Sequence, residues 1–188
     1  MSKRQIIVVD VETNGLDPQR HTVVEVAWRN LGTGAGGVFV PPHNTSDVLA
    51  GAEIKALQIN RYIDRLATVE RDSKGESVYK LAEQLAGNTL AGSNPTFDAA
   101  FLTHMFRGQY DEDMTFIPVW HHRLLDLSAY AAGVLGLPFS ELPGLAKVCE
   151  LLEVELVDAH TAAGDVAATA ECFDALRVRA ALSGGTEQ

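Results

Sequence analysis

The chain contains few cysteines and no long apolar run. Cys149 and Cys172 are the only cysteines among 188 residues, and both lie in segments patterned as helix, far from any second ligand at metal-site spacing. We therefore interpret them as reduced core thiols.

No apolar run reaches the roughly 18 residues needed to span a bilayer. The first residues, MSKRQ, lead directly into a strand-like run rather than a signal-peptide core, so we predict a cytoplasmic protein without membrane attachment.

Positive charge is also scarce. The chain has 15 Lys and Arg against 25 Asp and Glu, which gives a net charge of −10. Such a balance excludes a broad electrostatic grip on a nucleic-acid backbone by this chain alone. A substrate that carries phosphate would need help from bound cations.

The hydrophobic pattern predicts one α/β domain. Three short strand-like runs at 6–11, 23–31 and 38–40, with a glycine-rich turn at 32–37, predict an antiparallel set. Helical periodicity then alternates with short strands. The further predicted strands are 89–94 and 122–127, and the predicted helices are 77–85, 97–106, 128–136, 144–153 and 164–182. Segment 41–74 predicts only a short helix or two around 52–67. The expected architecture is a mixed five-stranded sheet with helices on both faces, over residues 1–182, followed by a disordered tail at 183–188.

Two acids end the first predicted strand. Asp10 and Glu12 are two residues apart, and residues i and i+2 of a strand point to the same side. One interpretation is that Asp10 caps the following turn while Glu12 faces water. The other is that both carboxylates bind hard divalent cations, whose charge offsets the repulsion between them.

Further acids lie where predicted helices begin. Asp98 is an acid in an otherwise apolar helix start, directly after a strand expected to lie beside the first one; stabilisation by the helix dipole is the alternative explanation. Asp165 also lies near a helix start, with His160 five residues earlier. At that spacing His160 must precede the helix if the two side chains are to meet.

These motifs together resemble a known family. DVETNGL at 10–16, SNPTFDAAFL at 93–102 and AHTAAGDVAAT at 159–169 are similar, in this order, to the motifs of DEDDh 3′-to-5′ exonucleases, which include the proofreading subunit of bacterial replicative polymerases, RNase T and oligoribonuclease. The resemblance covers about 6–176. Thr161 occupies the position that is Tyr in the related tyrosine subclass, which favours the histidine subclass. Asn14, where the family often has Thr, and Pro95 depart from the pattern.

The resemblance implies a fold, cofactors and residue roles. The fold would be RNase H-like, and two Mg²⁺ or Mn²⁺ ions would be bound by four carboxylates. His160 would take a proton from the attacking water, and the product would be a nucleoside 5′-monophosphate. The implied ligands are Asp10, Glu12, Asp98 and Asp165, and Thr13 and Leu16 match family positions that contact the 3′-terminal nucleotide. The substrate-binding set also includes Asn94, which matches a polar family position or is simply a turn residue, and Phe97, which is either a base-stacking surface or core.

Several residues have competing interpretations. Phe101 is assigned to the core in preference to a base-stacking surface. Asp126 either supports the site or caps a helix that starts near Ser128. His121 and His122 are expected to point to opposite faces of a strand, so they do not bind one ion.

The resulting prediction is an exonuclease that acts on single-stranded or frayed 3′ ends of DNA or RNA. The alternative is a nuclease-like module that docks on a polymerase or another replication partner. Glycoside hydrolysis also uses paired acids, but it gives the His160–Asp165 pair no role.

Overall fold

A computed structural model describes residues 3–109 and 119–184. Its centre is a five-stranded sheet. The strands are β1 Ile6–Thr13, β2 Val23–Asn30, β3 Gly36–Phe39, β4 Thr89–Gly92 and β5 Leu125–Asp126. Their order in the sheet is β3-β2-β1-β4-β5. Strand β2 pairs antiparallel with both β1 and β3, whereas β4 pairs parallel with both β1 and β5. The predicted mixed five-stranded sheet is confirmed.

Helices cover both faces of this sheet, as predicted. In the described part of the chain the helices are α1 Thr45–Ala50, α2 Ile54–Ile59, α3 Tyr62–Arg65, α4 Glu76–Leu85, α5 Pro95–Gln109, α6 Leu127–Leu135, α7 Leu145–Leu152 and α8 Ala162–Gly184. One face of the sheet packs against α4 and α5, and the other packs against α6, α7 and α8.

The two-residue period of β1 divides its side chains between two cores. Ile7, Val9 and Val11 pack in the core under α4 and α5, whereas Val8 packs in the core under α8. Asp10 and Glu12 continue the series begun by Val8. The strand therefore presents both carboxylates on the face that α8 covers.

Segment 41–74 folds into three short helices, α1 to α3. Helices α2 and α3 lie within 52–67, so the short helices predicted there are confirmed, whereas α1 was not predicted. The apolar residues of the segment form a small third core with Val24 of β2. Its polar groups hold the turn after β1, because the Glu53 N–H donates to the Asn14 carbonyl at 2.8 Å and Asn60 Nδ2 donates to the Thr13 carbonyl at 2.9 Å.

The predicted strand at 122–127 is shortened to two residues. Asp126 ends β5 and its carboxylate accepts a hydrogen bond from the Ala129 N–H at 2.8 Å, so it caps α6. The expectation that His121 and His122 point to opposite strand faces is wrong. Both precede β5 in a bend, where their ring centroids lie 4.1 Å apart.

Cys149 and Cys172 are buried free thiols, and their sulfur atoms lie 3.6 Å apart between α7 and α8.

Helix α8 extends through Gly184, which includes the first two residues of the expected tail. The rest of that tail, 185–188, lies outside the described residues. Within 3–109 and 119–184, no helix combines the length and apolar character needed to cross a membrane.

Candidate active site

Three carboxylates from the two ends of the chain meet at the end of β1. Asp10 and Glu12 project from one face of the strand, and Asp165 projects from the first turn of α8. One oxygen of each side chain lies within 4.8 Å of an oxygen of the other two. The predicted convergence of the first and last acidic motifs is therefore present in the structure.

Asp98 lies beside this cluster but is not one of its three members. It is 4% exposed, and its Oδ1 accepts a hydrogen bond from the Val11 N–H at 3.0 Å. That N–H lies beyond the residues of β1 that pair with β4, since this pairing ends at Val8 and Ala91. Asp98 of α5 therefore binds the backbone of β1 at Val11, between Asp10 and Glu12.

Burial, together with the neighbouring negative charges, raises the pKa values of Asp10 and Glu12. The pKa of Asp10 is well above its usual range, chiefly because of burial and then because of the charges of Asp98 and Asp165. The pKa of Glu12 rises to about 7, again chiefly because of burial, while Arg65 acts in the opposite direction.

The helix acids are shifted in the same direction. Burial raises the pKa of Asp98 to about 7, although the hydrogen bond from Val11 opposes this shift. Burial also raises the pKa of Asp165, and the charge of His160 opposes it. All four carboxylates therefore lie in surroundings that disfavour their ionised forms.

The donor set fits hard divalent cations. Carboxylate oxygens are the ligands that Mg²⁺ and Mn²⁺ prefer, and a divalent charge would favour the ionised carboxylates that burial and repulsion disfavour. Asp10, Glu12 and Asp165 are near enough together to share a cation. The site thus has the composition of a divalent-cation site.

His160 directly precedes α8, as its spacing from Asp165 requires. Its side chain is exposed and acts electrostatically on Asp165. Thr161 caps the helix, because its Oγ1 accepts from the Gly164 N–H at 3.0 Å. A Cβ on Gly164 would overlap the carbonyl oxygens of Val157 and Asp158. Glycine at this position lets the loop that carries His160 close onto the helix.

The positions predicted to contact substrate lie at the end of β1, in the turn after it and at the start of α5. Thr13 is buried, with its Oγ1 donating to the Gly15 carbonyl at 2.6 Å. Leu16 follows it and is 70% exposed. Asn94 is exposed just before α5, and Phe97 is half-buried.

The Phe97 ring packs against Phe101 with the ring centroids 4.8 Å apart. Phe101 itself is 1% exposed. Its assignment to the core is confirmed.

Sequence reasoning missed Glu25 and Arg65. Glu25 lies opposite Glu12 on β2, is 6% exposed and forms a two-point ion pair with Arg65, with N–O distances of 3.2 and 3.1 Å. The available signal was an acid inside the apolar run VVEVA, the same anomaly that identified Asp10. Arg65 gave no signal, because nothing in the sequence around it indicates that it pairs with Glu25, 40 residues earlier.

Comparisons with known proteins agree with this architecture. The RNase T family model, described as exonuclease, matches residues 7–173. No curated protein sequence matches the chain.

Similar solved structures include three of exonuclease I, each 18% identical to this chain. The E. coli enzyme with a dT13 oligonucleotide has a TM-score of 0.71 and aligns with 94% of this chain and 42% of its own. The zinc-bound E. coli complex with single-stranded DNA has a TM-score of 0.70, with coverages of 95% and 41%. A product-bound form has a TM-score of 0.69, with coverages of 95% and 44%.

The chain thus spans about two fifths of the length of these exonuclease I chains, and the likeness shows a shared fold. The family match covers most of the chain. The three acidic motifs of the chain lie in the same order as those of the DEDDh exonucleases. The chain belongs to the exonuclease family, within the DEDDh group of 3′-to-5′ exonucleases.

Proposed function

We propose that this chain is a divalent-cation-dependent exonuclease that hydrolyses the terminal phosphodiester at single-stranded or frayed 3′ ends of DNA or RNA, releasing nucleoside 5′-monophosphates. The observation that carries the proposal is the meeting of Asp10, Glu12 and Asp165 within 4.8 Å. Asp98 adds a fourth buried carboxylate next to them.

The cofactors would be two Mg²⁺ or Mn²⁺ ions held by these four carboxylates. When bound, they would stabilise negative charge that develops on the phosphate and lower the pKa of the attacking water. Asp98 anchors the site through the Val11 N–H with one oxygen, and its other oxygen faces Gly92.

His160 would act as the general base. Its imidazole is exposed to solvent just before α8, and it lies near enough to Asp165 to act electrostatically on that carboxylate. General-base assistance of this kind is typically worth ~10²- to 10⁴-fold in rate.

The terminal nucleotide would contact the turn after β1 and the start of α5. Leu16 presents an exposed apolar side chain for packing on the last base, and Thr13 lies between it and the acids. Phe97 and Asn94 would contact the nucleotide from α5. Apolar and aromatic packing on bases is tolerant of sequence, so little base preference is expected.

Short single-stranded ends suit an acidic chain better than long duplexes do. The similar exonuclease I structures contain dT13 and dA16 oligonucleotides, which makes single-stranded DNA the first substrate to try. A polymerase or other replication partner would supply the basic contacts that a net charge of −10 does not. Proofreading or repair would then be the cellular role.

The test uses DNA and RNA oligonucleotides labelled at the 5′ end, with single-stranded, paired and mismatched 3′ ends, incubated with Mn²⁺ or with chelator. We expect ladders that shorten from the 3′ end only with metal, and no shortening with Asp10→Asn. Degradation in chelator, or equal degradation by Asp10→Asn, would remove the acid cluster from the mechanism.

A further inference from the structure

Arg65 joins three parts of the chain next to the acid cluster. Its Nη1 and Nη2 donate to the Glu25 carboxylate at 3.2 and 3.1 Å, and Nη2 also donates to the His160 carbonyl at 3.4 Å. Its Nε donates to the Asn60 carbonyl at 3.1 Å. All three guanidinium nitrogens are therefore engaged, and one contact reaches the backbone of the proposed general base.

Glu25 connects the same arginine to α8. Its Oε2 accepts a hydrogen bond from the N–H of Ala162, the first residue of α8, at 2.9 Å. This carboxylate lies opposite Glu12 in the β1–β2 register. Both of its oxygens bind hydrogen-bond donors of the protein, so Glu25 holds the start of the helix and is not proposed as a cation ligand.

The loop before α8 needs such support. Asp158 and His160 have φ angles of 51° and 62°, in the left-handed region that residues with a Cβ rarely adopt. The side chains of residues 157–160 are exposed, so the loop is held mainly through its backbone, which also bonds Thr161 at the Asp158 carbonyl and Asp165 at the His160 N–H. Within the described residues, no hydrogen bond to the His160 ring is found. The direction of that ring depends on how its backbone is held.

We propose that Arg65 and Glu25 are positioning residues that brace the His160 backbone and the first turn of α8. The brace sets the direction of the imidazole relative to the acid cluster. This inference rests on the proposed role of His160 as general base. The planar fork of arginine is essential, because a lysine ammonium cannot reach Glu25 at two points and the two backbone carbonyls together.

Arg65→Lys tests the brace because it keeps the positive charge and removes the fork. A displacement of about 1 Å at a catalytic group can cost ~10²-fold, so we expect kcat to fall about 10- to 100-fold with Mn²⁺ affinity within twofold of wild type. Arg71→Lys is the matched control. Arg71 belongs to the same segment and bonds Thr45, Ala67 and Val69, so its kcat should stay near the wild-type value.

A double-mutant cycle identifies the residue through which Arg65 acts. In a His160→Ala background, Arg65→Lys should lower kcat by less than twofold, because the imidazole it positions is gone. An undiminished loss in that background would overturn the proposal. A parallel fall in kcat and Mn²⁺ affinity would also overturn the proposal, because Arg65 would then act on the metal site through its charge.

Amide hydrogen exchange gives a readout that does not depend on activity. Peptides covering 157–166 should exchange at least about tenfold faster in Arg65→Lys than in wild type or Arg71→Lys, because the ties to His160 and Ala162 are weakened. Unchanged amide exchange in Arg65→Lys would overturn the proposed brace, even if the enzyme is active. If wild type degrades no substrate, the proposed function fails, while the exchange result still decides whether the brace exists.

Discussion

Replacing Asp10 by Asn should make the metal-free protein less sensitive to rising pH. The change keeps the size of the side chain and removes one carboxylate whose pKa is raised in the fold. A carboxyl group with a raised folded-state pKa keeps its proton in the native chain after the unfolded chain has released it. The free energy of unfolding therefore falls as pH rises between the unfolded and the folded pKa.

The expected size follows from the number of such groups. Each one lowers the free energy of unfolding by about 1.4 kcal/mol per pH unit within its window. Glu12 and Asp98 have pKa values of about 7, and that of Asp10 is also well above normal. Together these three lower stability by at most about 4 kcal/mol per unit between pH 5 and 7, and Asp165, which is less buried, adds a smaller slope because water screens its charge. Asp10→Asn removes at most about a third of the slope that the three contribute.

Urea unfolding followed by far-ultraviolet circular dichroism at pH 5, 6 and 7, in chelator, measures the slope. Glu83→Gln is the control, because Glu83 is an exposed acid on α4, and it should keep the wild-type slope. Added Mn²⁺ should stabilise wild type by about 2.7 kcal/mol at 100 times its dissociation constant and Asp10→Asn by much less. Equal slopes for Asp10→Asn and wild type would refute the reasoning.

Three further changes test the loop, the helix start and the strand end. His160→Ala should lower kcat by ~10²- to 10⁴-fold while calorimetric Mn²⁺ affinity persists; loss of that affinity would make the histidine a ligand instead. Gly164→Ala should lower the free energy of unfolding by about 1 to 3 kcal/mol, because the added Cβ overlaps the loop carbonyls, and should also lower kcat. The control is Gly133→Ala in α6, where an added Cβ meets nothing within 4 Å. It should be neutral or stabilising in thermal unfolding. Asp126→Ala should cost about 1 kcal/mol through loss of the α6 cap and leave kcat unchanged; a large fall in kcat would show that Asp126 supports the site.

The sheet was predictable because its strands follow local periodicity, whereas the convergence of the acids was implied by the resemblance of three short motifs to those of the DEDDh family. The alternation in β1 puts Asp10 and Glu12 on one face, and short sequence motifs mark Asp98 and Asp165. These signals need no knowledge of distant contacts. The expected parallel neighbour of β1 also appears, as β4.

The brace was not predictable in the same way. Arg65 lies in a four-residue helix, and its partners Glu25 and His160 are distant in sequence. Only tertiary packing brings them together. The two-residue β5 shows the same effect, because only Leu125 and Asp126 pair with β4 and the residues at 122–124 lie outside the sheet.

The acid cluster takes Asp10 from the first strand and Asp165 from the last helix, with nearly all of the fold between them in sequence. During synthesis on a ribosome, β1 emerges before α8, and its acids lack Asp165 as a partner until α8 has left the exit tunnel. A shortened chain that ends before α8 would lack the complete cluster. Competence to bind cation and cleave a nucleic-acid end would thus be acquired only when translation of the domain is almost finished.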